Sequence, residues 1–307
     1  MTAVLWALAR HGRLVLVLGL VIGILVPGLA RAMAPMIFQM IVFLLFLSTL
    51  RVDVWRAFPD RRALPGYLGI TLLMQVGLPL VAVAGLWVVG GMGSVLGIGV
   101  VLVLAAAPLT GSPGLTIMSG GDPTPALRQL IVGTAFLPLT VLPVFWLMPV
   151  FGAPGVVAEA AGRLLLVIAI AGGIGVKLRK TVSFFQTVDG ERTVEGVITL
   201  AMAVVVIGLM SAVGPAILQA KSELWVTLAV VFALNFGAQA GVLLALRRGV
   251  RRQAAPALAI IAGNRNLALF LGALPPETGA ALLLFIGCYQ VPMYLTPLIM
   301  GPLIRRV

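Results

Sequence analysis

Ala257-Leu258-Ala259-Ile260-Ile261-Ala262-Gly263-Asn264-Arg265-Asn266-Leu267-Ala268-Leu269-Phe270-Leu271 places three consecutive polar residues, one of them a cation, inside an apolar run. The run extends over 254–274, and about 20 mostly apolar residues suffice to cross a bilayer. An Arg at mid-span costs roughly 2.5–3.5 kcal/mol on the insertion scale. Its guanidinium does not give up its proton. Something in the folded protein must therefore offset Arg265.

The rest of the chain suits a lipid solvent. Of 307 residues, 61% are hydrophobic and 10% charged, with a mean hydropathy of +1.16. Soluble domains average about 45–50% apolar and about 25% charged, so a water-soluble globular domain and a disordered chain are excluded. The net charge of +12 would ordinarily raise nucleic-acid binding. Here the cations sit in short loops between apolar runs, which is the pattern of membrane topology. One Cys, Cys288, leaves no disulfide framework or Cys-based metal site, and the one His, His11, sits beside Arg10 near the N-terminus.

Charged residues and Pro/Gly punctuation delimit ten apolar stretches: 14–32, 35–50, 66–90, 94–119, 125–151, 158–176, 194–218, 223–246, 254–274 and 279–304. Alternating them across a membrane puts seventeen Lys and Arg on the side of the N-terminus. Arg31, Arg163 and Lys221 fall on the other side, and Arg265 lies within a span. Cytoplasmic loops collect Lys and Arg, so the expectation is an all-α polytopic protein of a bacterial inner membrane with both termini cytoplasmic. Arg10 and Arg13, the run Leu14–Val26 and Ala30-Arg31-Ala32 also match a signal peptide; in a chain that is polytopic throughout, the run continues into a full span.

Ten spans divide into five and five, 1–155 and 156–307. An odd number per half sets the halves in opposite orientations, the inverted-repeat plan of many secondary transporters. The fourth stretch is interrupted by Pro108-Leu109-Thr110-Gly111-Ser112-Pro113-Gly114, and the ninth by Gly263-Asn264-Arg265-Asn266, starting 155 residues later. Two prolines and two glycines in seven residues disfavour a continuous helix. Paired interruptions in the two halves point to a transporter's binding site.

None of the nine acidic residues lies at mid-depth in a stretch, so no acid is placed to pair with Arg265. Two offsets stay open. Carbonyls freed by the broken spans can cap the guanidinium, or an anionic cargo can meet it in bidentate geometry; both can hold at different moments. Other mid-depth polar residues are Gln75, Thr110, Ser112, Thr116, Thr134, Asn235, Gln239, Asn264, Asn266, Tyr289, Gln290 and Tyr294. Asn235 and Gln239, four apart, share a helix face. Spans three, four, five, eight, nine and ten hold nearly all of this set. The expectation is a polar core domain, 66–151 and 223–304, against a plainer panel domain, 14–50 and 158–218. The polar stretch Thr181–Val194 reads as a cytoplasmic linker between the sixth and seventh stretches, with a surface helix carrying Phe184 and Phe185 as the alternative.

Three segments carry a resemblance: Phe46-Leu47-Ser48-Thr49-Leu50-Arg51-Val52, Pro108–Gly114 with Ser119-Gly120-Gly121-Asp122, and Ala262-Gly263-Asn264-Arg265-Asn266-Leu267-Ala268-Leu269. Through them the chain resembles the bile acid:sodium symporter family, within a group that includes arsenite exporters and plastid organic-anion carriers. That resemblance implies ten helices, a panel of spans one, two, six and seven, crossing breaks in spans four and nine, and elevator-like alternating access. It also implies sodium sites, for which the positions here are Gln75, Thr110, Ser112 and Thr134. Sodium-coupled members carry a Glu where this chain has Ile261 and a Gln where it has Arg265; the following Asn266 is kept. Pro113-Gly114 stands about where the family has Ser-Asn.

The resulting expectation is a secondary transporter for a small organic anion, working by alternating access without the family's usual sodium sites. Arg265 is its anion anchor. Asn264, Asn266, Thr110 and Ser112 shape the pocket, with Gln75, Asn235 and Gln239 behind. The alternative is a sodium-coupled organic-anion symporter with a rebuilt ion site, and a third reading is a channel or non-transporting receptor. No nucleophile–base pair or metal cluster is visible at membrane depth, so no enzyme, cofactor or nucleic-acid partner is expected; the expected partners are the anion and the lipid bilayer.

Overall fold

The computed structural model describes residues 2–248, 252–272 and 274–306. Arg251, part of the basic tally above, lies outside them, as does the side chain of Arg13. In chain order the α-helices are α1 (Thr2–Arg10), α2 (Gly12–Leu25), α3 (Pro27–Met33), α4 (Ile37–Arg51), α5 (Val54–Ala57), α6 (Leu64–Leu72), α7 (Leu78–Val88), α8 (Val95–Ala105) and α9 (Ser112–Met118). They continue as α10 (Pro123–Trp146), α11 (Pro154–Thr181), α12 (Val188–Leu209), α13 (Val213–Leu218), α14 (Ser222–Leu246), α15 (Ala255–Gly263), α16 (Pro276–Ile299) and α17 (Gly301–Ile304).

Among the described residues, seven helical segments are long and apolar enough to cross a bilayer: Pro27–Arg51, Leu64–Val88, Pro123–Trp146, Pro154–Thr181, Val188–Leu209, Ser222–Leu246 and Glu277–Ile299. The chain is an all-helical integral membrane protein. Ala3–Arg10 and Leu14–Leu25, bent by 85°, reach that length only as a pair. Helices α8, α9 and α15 are each too short to cross alone. Large apolar side chains such as Val81, Trp87 and Val88 are turned outward, as a lipid-facing surface requires. Trp87, Trp146 and Trp225 are exposed near helix ends, where tryptophans anchor at the membrane–water boundary.

Proline sets most boundaries. It occupies one of the first two positions of α3, α6, α7, α9, α10, α11, α15 and α16, where its missing N–H would have no helical partner anyway. This moves one expected boundary. The break between the first two stretches falls at Val26, with φ −120° and ψ 73°, because a residue before proline is driven out of the helical region. Ala30-Arg31-Ala32 then belongs to the helical stretch Pro27–Arg51. The linker expected over Thr181–Val194 is also shorter. A single 3-10 turn, Ser183–Gln186, separates α11 from α12. Thr187 caps α12 by accepting from the Gly190 N–H, and Asp189 and Glu191 favour its first turn. The polar residues read as linker are largely the start of a helix.

Two further features are positional. Helix α6 passes into α7 through a π-helical turn, Leu73–Gly77. Helices α10 and α16, 24 residues each, both carry internal prolines five residues apart, Pro138 and Pro143 in one, Pro292 and Pro297 in the other.

Packing follows two neighbourhoods. Helices α1, α2, α3 and α4 pack on α12, and α4 also packs on α11. Helices α6 and α9 pack on α10, while α14 packs on both α15 and α16. Between the neighbourhoods, α10 meets α11 and the 3-10 turn Leu267–Gly272 meets α4. Glycines permit the closest approaches: a Cβ on Gly196 of α12 would run into the Leu5 backbone, whereas Gly237 of α14 faces open space.

Gly196→Val is therefore expected to destabilise the protein by about 1–3 kcal/mol, the usual range for overpacking. Thermal unfolding in detergent should show a clear fall in Tm, while Gly237→Ala stays within error of wild type or rises. Equal behaviour of the two would contradict the helix contact.

Candidate functional site

Two mostly buried non-helical segments face each other in the interior of the helical assembly, 106–111 after α8 and 264–266 after α15. Unwound backbone in hydrocarbon costs several kcal/mol for each unsatisfied group, so its hydrogen bonds can be accounted for one by one. Pro108 and Arg265 form an antiparallel bridge. The Leu109 N–H donates to the Asn264 carbonyl at 2.9 Å, and the Asn266 N–H donates to the Ala107 carbonyl at 2.8 Å. The two breaks thus satisfy part of each other's backbone.

Side chains complete the set. The guanidinium of Arg265 is 2% exposed. Its Nε donates to the Ala262 carbonyl at 3.2 Å, and Nη1 donates to the Ala106 carbonyl at 3.0 Å. These carbonyls end α15 and α8, where helix dipoles leave partial negative charge. The Gly263 carbonyl accepts from Asn235 Nδ2 and from the Tyr289 hydroxyl. Asn264 Nδ2 donates to the Ile260 carbonyl at 2.8 Å, and Asn264 Oδ1 accepts from Thr296 Oγ1 at 3.1 Å. Gln239 Nε2 donates to Asn235 Oδ1 at 2.6 Å and to Thr296 Oγ1 at 3.2 Å. Five buried polar side chains on α14, α16 and the second break form one connected network.

A simpler brace supports the first break. Gln75, on the π-helical turn, donates to the Gly133 carbonyl at 3.0 Å and accepts from Thr140 Oγ1 at 2.7 Å. Gly133 lies so near Pro108 that an added Cβ would stand 2.8 Å from its Cδ. Gln75 thereby fixes the part of α10 against which the first break rests.

Among the described residues Arg265 has no carboxylate partner; the ion pairs there are Arg51–Glu195, Arg56–Asp53, Arg163–Glu159 and Arg179–Glu191. Nη2 of Arg265 makes no hydrogen bond to any described residue, since the bonds of this side chain run from Nε and Nη1. Arg265 lines a small cavity of about 40 Å³ with Thr110, Asn266, Gln290, Tyr294 and apolar residues of α4 and α12. That is room for little more than one water. A second cavity, about 240 Å³, lies between α4, α10 and α11 and is lined by Ser48, Thr49, Arg51, Thr110, Thr134 and apolar side chains including Leu130, Ile131 and Ile168. Thr110 lines both.

No protein-family model matches the chain, and no curated protein sequence matches it. The site's chemistry is argued from its own residues.

The sequence-derived candidates fall into three places. Arg265, Asn266 and Thr110 border the small cavity. Asn264, Asn235, Gln239 and Gln75 all take part in bracing the breaks, though Gln239 Oε1 is left without a partner, and none lines either cavity. Ser112 is buried, its hydroxyl without a partner, and Thr134 lines the larger cavity, away from Arg265. Sequence reasoning does not place Thr140, Tyr289 or Thr296 in a site, though the two threonines bond candidates and Tyr289 bonds the Gly263 carbonyl of the second break. A Thr in an apolar helix usually bonds its own backbone, so its sequence carries no signal for a cross-helix role.

Losing Asn235 should cost more than losing the Tyr289 hydroxyl. Asn235→Ala removes a donor to the Gly263 carbonyl and the acceptor for Gln239, whereas Tyr289→Phe leaves the Gly263 carbonyl one bond. At about 1–3 kcal/mol per orphaned buried group, the Tm of Asn235→Ala should fall well below that of Tyr289→Phe. The reverse order would contradict this network.

Proposed function

We propose that the protein is a secondary carrier that moves a small organic anion across the membrane by alternating access, with the cargo's negative group meeting Arg265 at the crossing of the two breaks. One observation carries the reading. A fixed cation is buried among apolar helices, two of its N–H groups held by helix-end carbonyls, and Arg265 is among the residues that border a cavity whose described lining holds no carboxylate. A unit anion about 4 Å away contributes about 4 kcal/mol at an effective dielectric of ~20, before desolvation is subtracted. Polar groups able to orient a carboxylate, Thr110, Asn266, Gln290 and Tyr294, line the same space.

The larger cavity supplies the cargo's other requirement. Its wall is mostly apolar, with Arg51 and the hydroxyl residues Ser48, Thr49, Thr110 and Thr134 as its polar members. A carboxylate with a compact apolar body fits that lining better than a sugar or an amino acid. Because Thr110 borders both spaces, movement between them needs only a modest shift of α4 and α12 against the crossing.

The architecture behind the proposal is ten spans in two inverted five-helix repeats, with the neighbourhood of α2, α4, α11 and α12 acting as panel and the rest as core. Three internal parallels support it. The interruptions start 155 residues apart. The internal proline pairs of α10 and α16 have the same five-residue spacing. In each half an amide from the helix before the break (Gln75 or Asn235) accepts a hydrogen bond from a threonine on the helix after it (Thr140 or Thr296). The distribution of Lys and Arg favours cytoplasmic termini. An inside-negative potential opposes uptake of a monovalent anion by about 2.3 kcal/mol per 100 mV, so export or anion exchange is the favoured direction.

Thermal-shift titration of small carboxylates against wild type and Arg265→Gln tests the proposal. A cargo stabilises the folded state in proportion to the logarithm of its concentration over Kd. At least one carboxylate should raise the Tm of wild type and fail to raise that of Arg265→Gln. A variant that keeps every carboxylate response removes Arg265 from the binding site. Counterflow of the same carboxylate in proteoliposomes then separates a carrier, which exchanges, from a receptor, which does not.

A further inference from the structure

The carbonyls that hold Arg265 have a second meaning. Half-helix C-termini that converge at membrane depth make a seat for a cation, because their last carbonyls point together and carry the negative end of each helix dipole. Helix α8 ends at Ala105 and α15 at Gly263. The Ala106 and Ala262 carbonyls, one from each helix end, converge on the Arg265 guanidinium at 3.0 Å and 3.2 Å. Neighbouring carbonyls have other donors: the Ala107 carbonyl receives the Asn266 N–H, and the Gly263 carbonyl receives Asn235 and Tyr289. The Ala106 and Ala262 carbonyls face the guanidinium instead.

We infer that the Arg265 guanidinium is a tethered cation occupying a carbonyl-built cation seat, so that the carrier needs no free coupling ion at its crossing. A charge on the chain cannot leave with the cargo. It balances a bound anion, moves with the protein, and stays behind when the cargo is released. The occupied seat also keeps the two helix ends together, since without a cation the Ala106 and Ala262 carbonyls would face each other unsatisfied in a low-dielectric interior. The consequence for coupling rests on the anion reading given above; the seat itself rests only on the geometry of the two helix ends.

The test is chemical rescue. Arg265→Gly vacates the seat without adding a competing group, and Arg265→Lys keeps a charge on a shorter stem. Purified wild type and both variants are melted in sodium, potassium, methylguanidinium or choline chloride at about 10 mM, far below the molar range in which guanidinium salts denature. Choline is too large for the seat and serves as the ionic-strength control. The expected result is a lowered Tm for Arg265→Gly that methylguanidinium or sodium raises by several degrees over choline, a smaller loss for Arg265→Lys, and a wild type indifferent to the cation. Wild type stabilised by sodium over choline, or an Arg265→Gly protein indifferent to every small cation, overturns the inference. If Arg265→Gly does not fold, the wild-type arm and Arg265→Lys decide: a Lys variant as unstable as Arg265→Gln overturns the seat, and one clearly more stable supports it. A carboxylate series run alongside keeps the two claims apart. Cation rescue without any carboxylate response supports the seat and retires the anion reading, and carboxylate binding without cation rescue does the reverse.

Discussion

Backbone that leaves the helix at membrane depth has no water to answer its N–H and C=O groups, and every other feature of the site follows from how those groups are satisfied. The two breaks answer each other through the Leu109–Asn264 and Asn266–Ala107 hydrogen bonds. What this bridge leaves over is met by Arg265, Asn235 and Tyr289. A pair of broken helices is therefore one structural unit. Its members cannot separate without exposing carbonyls at several kcal/mol each, so the crossing suits a body that moves as a whole past its neighbours.

The same requirement explains why so many polar side chains at this depth face no cavity. Asn264, Asn235, Gln239 and Gln75 serve the backbone. The guanidinium carries five N–H donors, of which the helix ends use two. The division is chemical: amides have balanced donors and acceptors and close into networks, whereas an Arg surrounded by carbonyls still has a surplus of positive charge. Burying that surplus costs stability, and it is the feature on which the proposed anionic cargo rests.

Much of the architecture could be read from the chain. The apolar runs, the proline and glycine punctuation and the two interruptions located the helices and the crossing, since each reflects a local rule of backbone chemistry. Errors arose where two local signals competed. Val26-Pro27 and the small-residue stretch after it were read as one span, but the restriction proline imposes on its predecessor ended the helix sooner. The polar start of α12 resembles a linker in sequence because polarity is its dominant signal and masks the cap that Thr187 and the first-turn acids provide. In the site, Arg265 stood out as an ion without a partner. The difference between a pocket-lining and a bracing amide was not legible, because Asn264 and Asn266 are two residues apart and only the strand-like turn at Arg265 decides which one meets the cavity. The threonines of α10 and α16 were silent for the reason that helix backbone is their usual partner.

A structure determined with a bound carboxylate puts the central claim to its most direct trial. The account predicts the carboxylate in hydrogen-bond contact with the unpaired side of the Arg265 guanidinium, beside Thr110 and Asn266, with the Ala106 and Ala262 carbonyls still holding Nη1 and Nε. A carboxylate seated at Arg51 or elsewhere, with Arg265 unchanged and untouched, would contradict it.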